Sequence, residues 1–270
     1  MIAKDAVVPV LVAEWASIDE LLGSLGDAQW TTPTALPGWS VQDNVSHIIG
    51  TECALTGETP PPCAADVRGF SHVRNDIGAA NEHWVQGLRG ESPTTVLERF
   101  RAITAVRRKV LEAMSQKDFD APSWTPAGQG TYGRFIRIRL FDCWMHEQDI
   151  RDAVGMPGND GGRCAEGALS EVVSALGYIV GKRAGAPNGA TVTIELTGPV
   201  RLAWHIAVDG RAKVVDELPG PATATVRLSS NLLTRLAGGR VPVESRIEEI
   251  GFGGDTDLGR RVAFALPFTI

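Results

Sequence analysis

The sequence has no run of about 18 apolar residues, the length a membrane-spanning helix needs, and no excess of basic charge. Its 26 Lys and Arg stand against 32 Asp and Glu, a formal charge of −6, which argues against the basic face or tail of a nucleic-acid binder. Cysteine is scarce: Cys53, Cys63, Cys143 and Cys164 are too scattered for a disulfide framework and form no C-x-x-C pair. The first residues, Met1 to Asp5, lack the apolar core and cleavage site of a signal peptide. Internal repeats and low-complexity tracts are absent as well. From these absences we expect a cytoplasmic protein with reduced thiols that binds neither nucleic acid nor membrane.

What the chain does have is length and two textures. Its 270 residues, 43% of them hydrophobic, suffice for one large domain or two of ordinary size. Up to about Gly155 the apolar pattern is helical. Leu11, Trp15, Ile18, Leu22 and Leu25 draw one stripe, and Pro9 stands where a first helical turn tolerates it. Leu36-Pro37-Gly38-Trp39-Ser40 announces a second helix over Val41 to Leu55, with Ser40 as N-cap and Asp43 closing a capping box. A weaker helical segment covers Ala64 to Leu88, and another helix runs from Pro93 to Met114. A Pro/Gly-rich loop, Pro122 to Gly130, precedes the last helix, Tyr132 to Val154. Long amphipathic helices with short connections point to a bundle.

Gly155 to Gly162 has the composition of a linker. Beyond it the pattern predicts a helix over Glu166 to Arg183. Four β-branched-rich strands follow (Thr191 to Leu196, Arg201 to Val208, Ala212 to Leu218, Ala222 to Leu228), read as joined by hairpins, with Asp209-Gly210 the sharpest turn. Two short helices end the chain, near Asn231 to Ala237 and Asp257 to Ala265. The expected fold class is therefore α followed by α+β: a bundle domain over residues 1–156 and a smaller α+β domain with a mainly antiparallel sheet over 162–270.

The last bundle helix carries the most informative stretch, Asp142-Cys143-Trp144-Met145-His146-Glu147-Gln148-Asp149-Ile150-Arg151. Its apolar stripe runs into Asp142, His146 and Asp149, where a bundle buries Leu or Val. Buried charges need partners, a metal or a shifted protonation state. Asp142 and His146, four apart, share one face and can point at one ion. They fit equally a charge network in which Arg137, Arg139 and Arg151 pair with Asp142, Asp149 and Asp152. His47 shares its face with Ser40, Asn44 and Thr51, which on periodicity alone reads as a solvated or packed histidine. His205 alternates with Trp204 on a strand and reads as an ordinary sheet histidine.

Leu36 to His47, Thr125-Pro126-Ala127-Gly128 and Asp142 to Arg151 resemble the motifs of the mycothiol-dependent maleylpyruvate isomerase family, a branch of the DinB-like four-helix bundles. Leu236 to Arg240 and the segment from Gly254-Asp255 to Pro267-Phe268 resemble that family's C-terminal domain, which is similar to sterol carrier protein 2. The resemblance implies a divalent metal, usually zinc, held by His47, Asp142 and His146. Asp142 departs from the family, whose isomerases have Glu there. Three protein ligands and an open position describe a catalytic rather than a structural zinc site. Asp149, three residues after His146, is the expected outer partner of that histidine; Asp43 reads better as a helix cap.

The resemblance also implies mycothiol as thiol cofactor or co-substrate. A metal lowers a thiol's pKa and holds it as thiolate, the nucleophile. Addition to a cis double bond conjugated with carbonyls, rotation and loss of the thiol give an isomerisation; release of the adduct gives an S-transfer. The partners are thus a small electrophilic substrate and a low-molecular-weight thiol, and the cysteines of the chain itself, Cys143 included, need no role. Arg201, Arg227 and Arg240 are candidate cations for an acidic substrate, with nothing to select among them. The competing readings are a small-ligand or lipid binding protein with a vestigial metal site, and a DinB-like metal hydrolase.

Overall fold

The stripe that begins at Leu11 is the buried face of the first helix, α1 (Lys4–Gly23), in a computed structural model that describes residues 1–269. Pro9 lies inside this helix rather than in its first turn, because the helix already starts at Lys4. It removes only the backbone bond to Asp5, close to the helix start. A single turn, α2 (Asp27–Trp30), leads to a tight loop in which Pro33 and Ser40 form an isolated bridge and Thr34 N–H donates to the Trp39 carbonyl at 2.9 Å. Helix α3 (Val41–Ala54) then begins at the expected cap: Ser40 Oγ accepts from Asp43 N–H, and Asp43 Oδ2 accepts from Ser40 N–H at 2.8 Å.

Of the weak segment from Ala64, only the second half is a long helix, α4 (Asp76–Leu88), capped by Asn75; the first half holds a 3₁₀ turn at Val67–Gly69. Helix α5 (Pro93–Ala113) starts with its proline in the first turn behind Ser92. After the short α6 (Gln116–Phe119), the segment expected as a loop is a hairpin, β1 (Pro122–Thr125) with β2 (Gly128–Thr131). Its Gly and Pro content hid the pairing. Helix α7 (Tyr132–Val154) ends on Gly155, whose φ of +68° is a left-handed cap that glycine adopts without strain.

Helices α1, α7, α3 and α5 close a ring in which each packs on two others, and α4 covers the remaining side of α3. Consequently α3 is buried all round from Val41 to Gly50. At Gly50 a Cβ would lie 2.3 Å from the Trp84 ring, so only glycine lets α4 approach. Trp15, Ile18, Ile48, Phe100, Ile136 and Leu140 belong to the common core.

This first unit runs from Met1 to Asn159, and the second begins at Asp160. Asn159 has a left-handed φ of +51°. Its Nδ2 donates to Glu14 at 3.0 Å and Glu147 at 2.6 Å, and its carbonyl accepts from Trp144 Nε1 at 2.7 Å. Half of the linker by composition is therefore fastened to α1 and α7.

In the second unit α8 (Gly162–Tyr178) continues into a π-helical turn, Ile179–Arg183. Strands β3 (Thr191–Thr197), β4 (Leu202–Asp209) and β5 (Arg211–Val215) form an antiparallel meander, with Gly210 at φ +62° in the last turn. The fourth expected strand, β6 (Ala224–Ser229), is not joined by a hairpin: it crosses to the other side of β3 and pairs with it in parallel. A fifth strand follows α9 (Ser230–Ala237). It is β7 (Gly251–Gly254), antiparallel to β6 at the sheet edge, and α10 (Thr256–Ala265) closes the chain. Three of the four β7 residues are glycine, which leaves no strand signal in the sequence. Val192, Ile194, Leu196, Ile206 and Val226 turn to the buried face, and α8, α9 and α10 pack on the sheet. On the opposite face His205 Nδ1 lies 3.0 Å from Thr193 Oγ1, the ordinary sheet histidine expected. No helix among the described residues is long and apolar enough to cross a membrane.

Candidate metal centre in the helical unit

Helix α3 supplies His47, and α7 supplies Asp142 and His146, one turn apart. Each offers a ligand atom within 4.8 Å of the others. His47 Nε2 lies 3.1 Å from Asp142 Oδ2, and His146 Nε2 lies 3.5 Å from Asp142 Oδ1. Both rings are buried, whereas the Asp142 side chain is 30% exposed, so the cluster is open on the carboxylate side. Two imidazole nitrogens and a carboxylate oxygen form a donor set suited to zinc.

Of the two readings that periodicity left for the polar face of α3, solvated or packed, the structure shows the packed one: Asn44 and His47 are turned into the bundle. Asn44 is fully buried, and its Nδ2 donates to the Ser40 carbonyl at 2.8 Å. A carbonyl only accepts, so the amide orientation is fixed and Asn44 Oδ1 faces His146 Nδ1 at 2.7 Å. His146 therefore donates through Nδ1 and keeps Nε2 for the cluster. Asp149 Oδ2 is the next acceptor, 3.5 Å from the same Nδ1. His47 has no such support: its Nδ1 is buried without a hydrogen-bond partner among the described residues. An unpaired buried polar atom costs about 1–3 kcal/mol. The Nε2 of His47, the atom that faces Asp142, is therefore the one nitrogen of this ring with a partner among the described residues.

Charge at the site follows from burial and neighbours. Burial outweighs the pull of Asp142 and lowers the His47 pKa, favouring the neutral imidazole. For His146 burial acts downward too, but the charge and hydrogen bond of Asp142, with Asp149, raise its pKa. Burial opposes ionisation of Asp142, yet His47, Arg139 and His146 hold its carboxyl well below the ordinary value.

The sequence offered Arg139 only as one arginine of a charge network, and Glu52 and Glu82 escaped that reading. Arg139 of α7 pairs with Asp142 and also donates Nε to Glu52 of α3 at 3.0 Å. The indole of Trp39 lies with its centroid 5.4 Å from the His47 ring and 5.9 Å from the His146 ring. Trp39 Nε1 donates to buried Glu82 at 2.9 Å, and His72 Nε2 lies 3.1 Å from the same oxygen. Asp43 is held as a cap and by Arg89 at 3.0 Å. Cys143 is buried beside Arg139 Nη2 at 3.5 Å, and burial pushes its thiol far up despite that guanidinium. In the second unit Arg227 pairs with Glu195 at 2.8 Å, Arg240 donates to the Gly238 carbonyl at 2.7 Å and Arg201 to that of Gly198 at 3.4 Å.

Comparison with known proteins bears on both units. Two curated relatives, uncharacterized proteins from two strains of Mycobacterium tuberculosis, are each 27% identical over 154 residues. The match covers 54% of this chain and 55% of each relative, so it spans about half their length. A crystal structure of the mycothiol-dependent maleylpyruvate isomerase superposes with a TM-score of 0.56 at 17% identity, covering 93% of both chains. A histidine-to-alanine mutant of that enzyme gives the same score at 15% identity and the same coverage. At these identities the likeness establishes the fold. The family model for the mycothiol maleylpyruvate isomerase N-terminal domain matches residues 11–151, and that for the C-terminal domain of the same family matches residues 166–261. With both domain models matched in order, the chain belongs to the mycothiol maleylpyruvate isomerase family.

Proposed function

We propose that this chain is a cytoplasmic, divalent-metal-dependent enzyme that uses mycothiol as cofactor or co-substrate. Its reaction is an isomerisation or S-transfer on a small electrophilic substrate. The observation that carries this reading is the convergence of His47, Asp142 and His146 on one point, with the ring nitrogen of His146 assigned by Asn44. Family membership supplies the thiol. Zinc, when bound by these three residues, would lower the pKa of a thiol and make the nucleophilic thiolate available at neutral pH. The chain's own residues provide the rest. Asn44 fixes the His146 tautomer, Asp142 brings the anionic charge, and Trp39 forms an aromatic wall beside both rings.

Metal analysis of the purified protein, followed by titration with mycothiol, tests the proposal. Stoichiometric zinc together with thiol binding supports it. Zinc without thiol binding favours a metal hydrolase, and neither one leaves a ligand-binding protein.

A further inference from the structure

The bundle buries a chain of charges that three metal ligands do not by themselves require. Arg107 of α5 donates Nε to Glu52 Oε2 at 2.9 Å and Nη2 to the Tyr132 hydroxyl at 2.8 Å. Glu52 of α3 gives its other oxygen to Arg139 Nε at 3.0 Å. Arg139 then reaches Asp142 through Nη1, on the same Oδ2 that faces His47. Glu52, Arg107 and Arg139 are all buried. Desolvating such groups is costly, and apolar residues of the same volume hold helices together at least as well. Helix packing alone does not account for them.

What the chain of charges does accomplish is to fix a carboxylate. Asp142 has the most exposed side chain of the cluster and could turn towards water. The guanidinium is a planar fork, so anchoring one edge on Glu52 dictates where its Nη1 meets Asp142. With Oδ2 taken in this way, Oδ1 is turned to His146 Nε2. Arg139 makes no contact with either imidazole among its hydrogen bonds and ion pairs; it acts through Asp142.

We propose that Arg139, anchored by Glu52, is the positioning residue for Asp142, holding its carboxylate between His47 and His146 so that the three donors are aligned before an ion arrives. This inference rests on the metal-centre reading above.

The test is zinc affinity, measured by competition with a chromophoric chelator, alongside thermal unfolding of each chelator-treated protein. Arg139→Gln should weaken zinc binding about 10- to 100-fold, the range for losing a partner that orients a ligand. Arg139→Lys should recover part of the loss, because an ammonium keeps the charge without the fork. Glu52→Gln should weaken zinc binding in the same direction by loosening Arg139. Zinc affinity within about twofold of wild type in a folded Arg139→Gln protein, with or without a lower Tm, would overturn the proposal. If Arg139→Gln does not fold, Arg139→Lys and Glu52→Gln decide by the same criterion. A wild-type protein that binds no zinc overturns the metal-centre reading and this inference together. Unchanged affinity in the variants of a zinc-binding wild type overturns this inference alone.

Discussion

Asn44 and His146, on helices that meet inside the bundle, share a hydrogen bond of 2.7 Å in which the imidazole donates through Nδ1 to the amide oxygen. The amide cannot turn round, because its nitrogen is held by the Ser40 carbonyl at 2.8 Å. One helix start thereby sets the proton position on a histidine of another helix. Asn44→Ala should lower zinc affinity about 10- to 100-fold with the three proposed ligands intact. Chelator competition at neutral pH checks this, and an unchanged affinity would remove the orienting role.

Asp142 faces two histidines and one arginine, so its substitution tests metal content and stability together. Asp142→Ala should lose zinc and thiol-dependent activity together. Its metal-free form should also be destabilised by about 1–3 kcal/mol, because Arg139 keeps only one of its two carboxylate partners, Glu52. Asp142→Glu should retain both zinc and stability. Zinc content and chelator-treated thermal unfolding of the two variants give the answer, and full zinc in Asp142→Ala would contradict the ligand assignment.

Glu82 gives a pH dependence of definite sign. Burial favours its neutral form, but hydrogen bonds from Gln86, Trp39 and His72 outweigh burial and hold its pKa below the ordinary 4.5. A carboxyl with a pKa lower in the folded state stabilises the fold above its unfolded value and loses that contribution as pH falls through the folded one. Urea unfolding free energy should therefore fall more steeply below about pH 4.5 in the wild type than in Glu82→Gln. Parallel curves for the two proteins would rule the effect out.

The thiols separate by burial. Cys53 is buried, and burial and Glu58 push its thiol up to about 11; Cys143 and Cys164 are buried too, and only Cys63 is partly open. Brief alkylation of the native protein, read by peptide mass, should label Cys63 and spare the others until the chain is unfolded. Cys143→Ala should keep zinc and thiol-dependent activity. Loss of activity with zinc retained would give Cys143 a role it is denied here.

Local chemistry was readable from the sequence, and long-range pairing was not. Ser40 and Asp43 mark the start of α3, and Gly155 marks the end of α7, because caps act within a few residues. The parallel partner of β6 could not be read, since strand order is not a local property. Motif resemblance singled out His47 where periodicity left only a solvated or packed histidine, because periodicity does not tell a polar face that meets water from one that meets partners. Here that face meets Asp142 and His146 across the bundle. Arg107, Glu52 and Arg139 compensate one another over 55 and 87 residues of sequence, which no pattern along the chain can register.

Asn159 sets where the helical unit can be cut. A fragment ending at Met156 would keep every long helix yet lose the amide standing between Glu14 and Glu147, both fully buried, and the carbonyl that Trp144 uses. Both carboxylates would lose that common donor, and Glu147 would be left with Ser17 and Arg151. Three further residues, of which only the last makes these bonds, divide a fragment that carries its own clasp from one that has lost it.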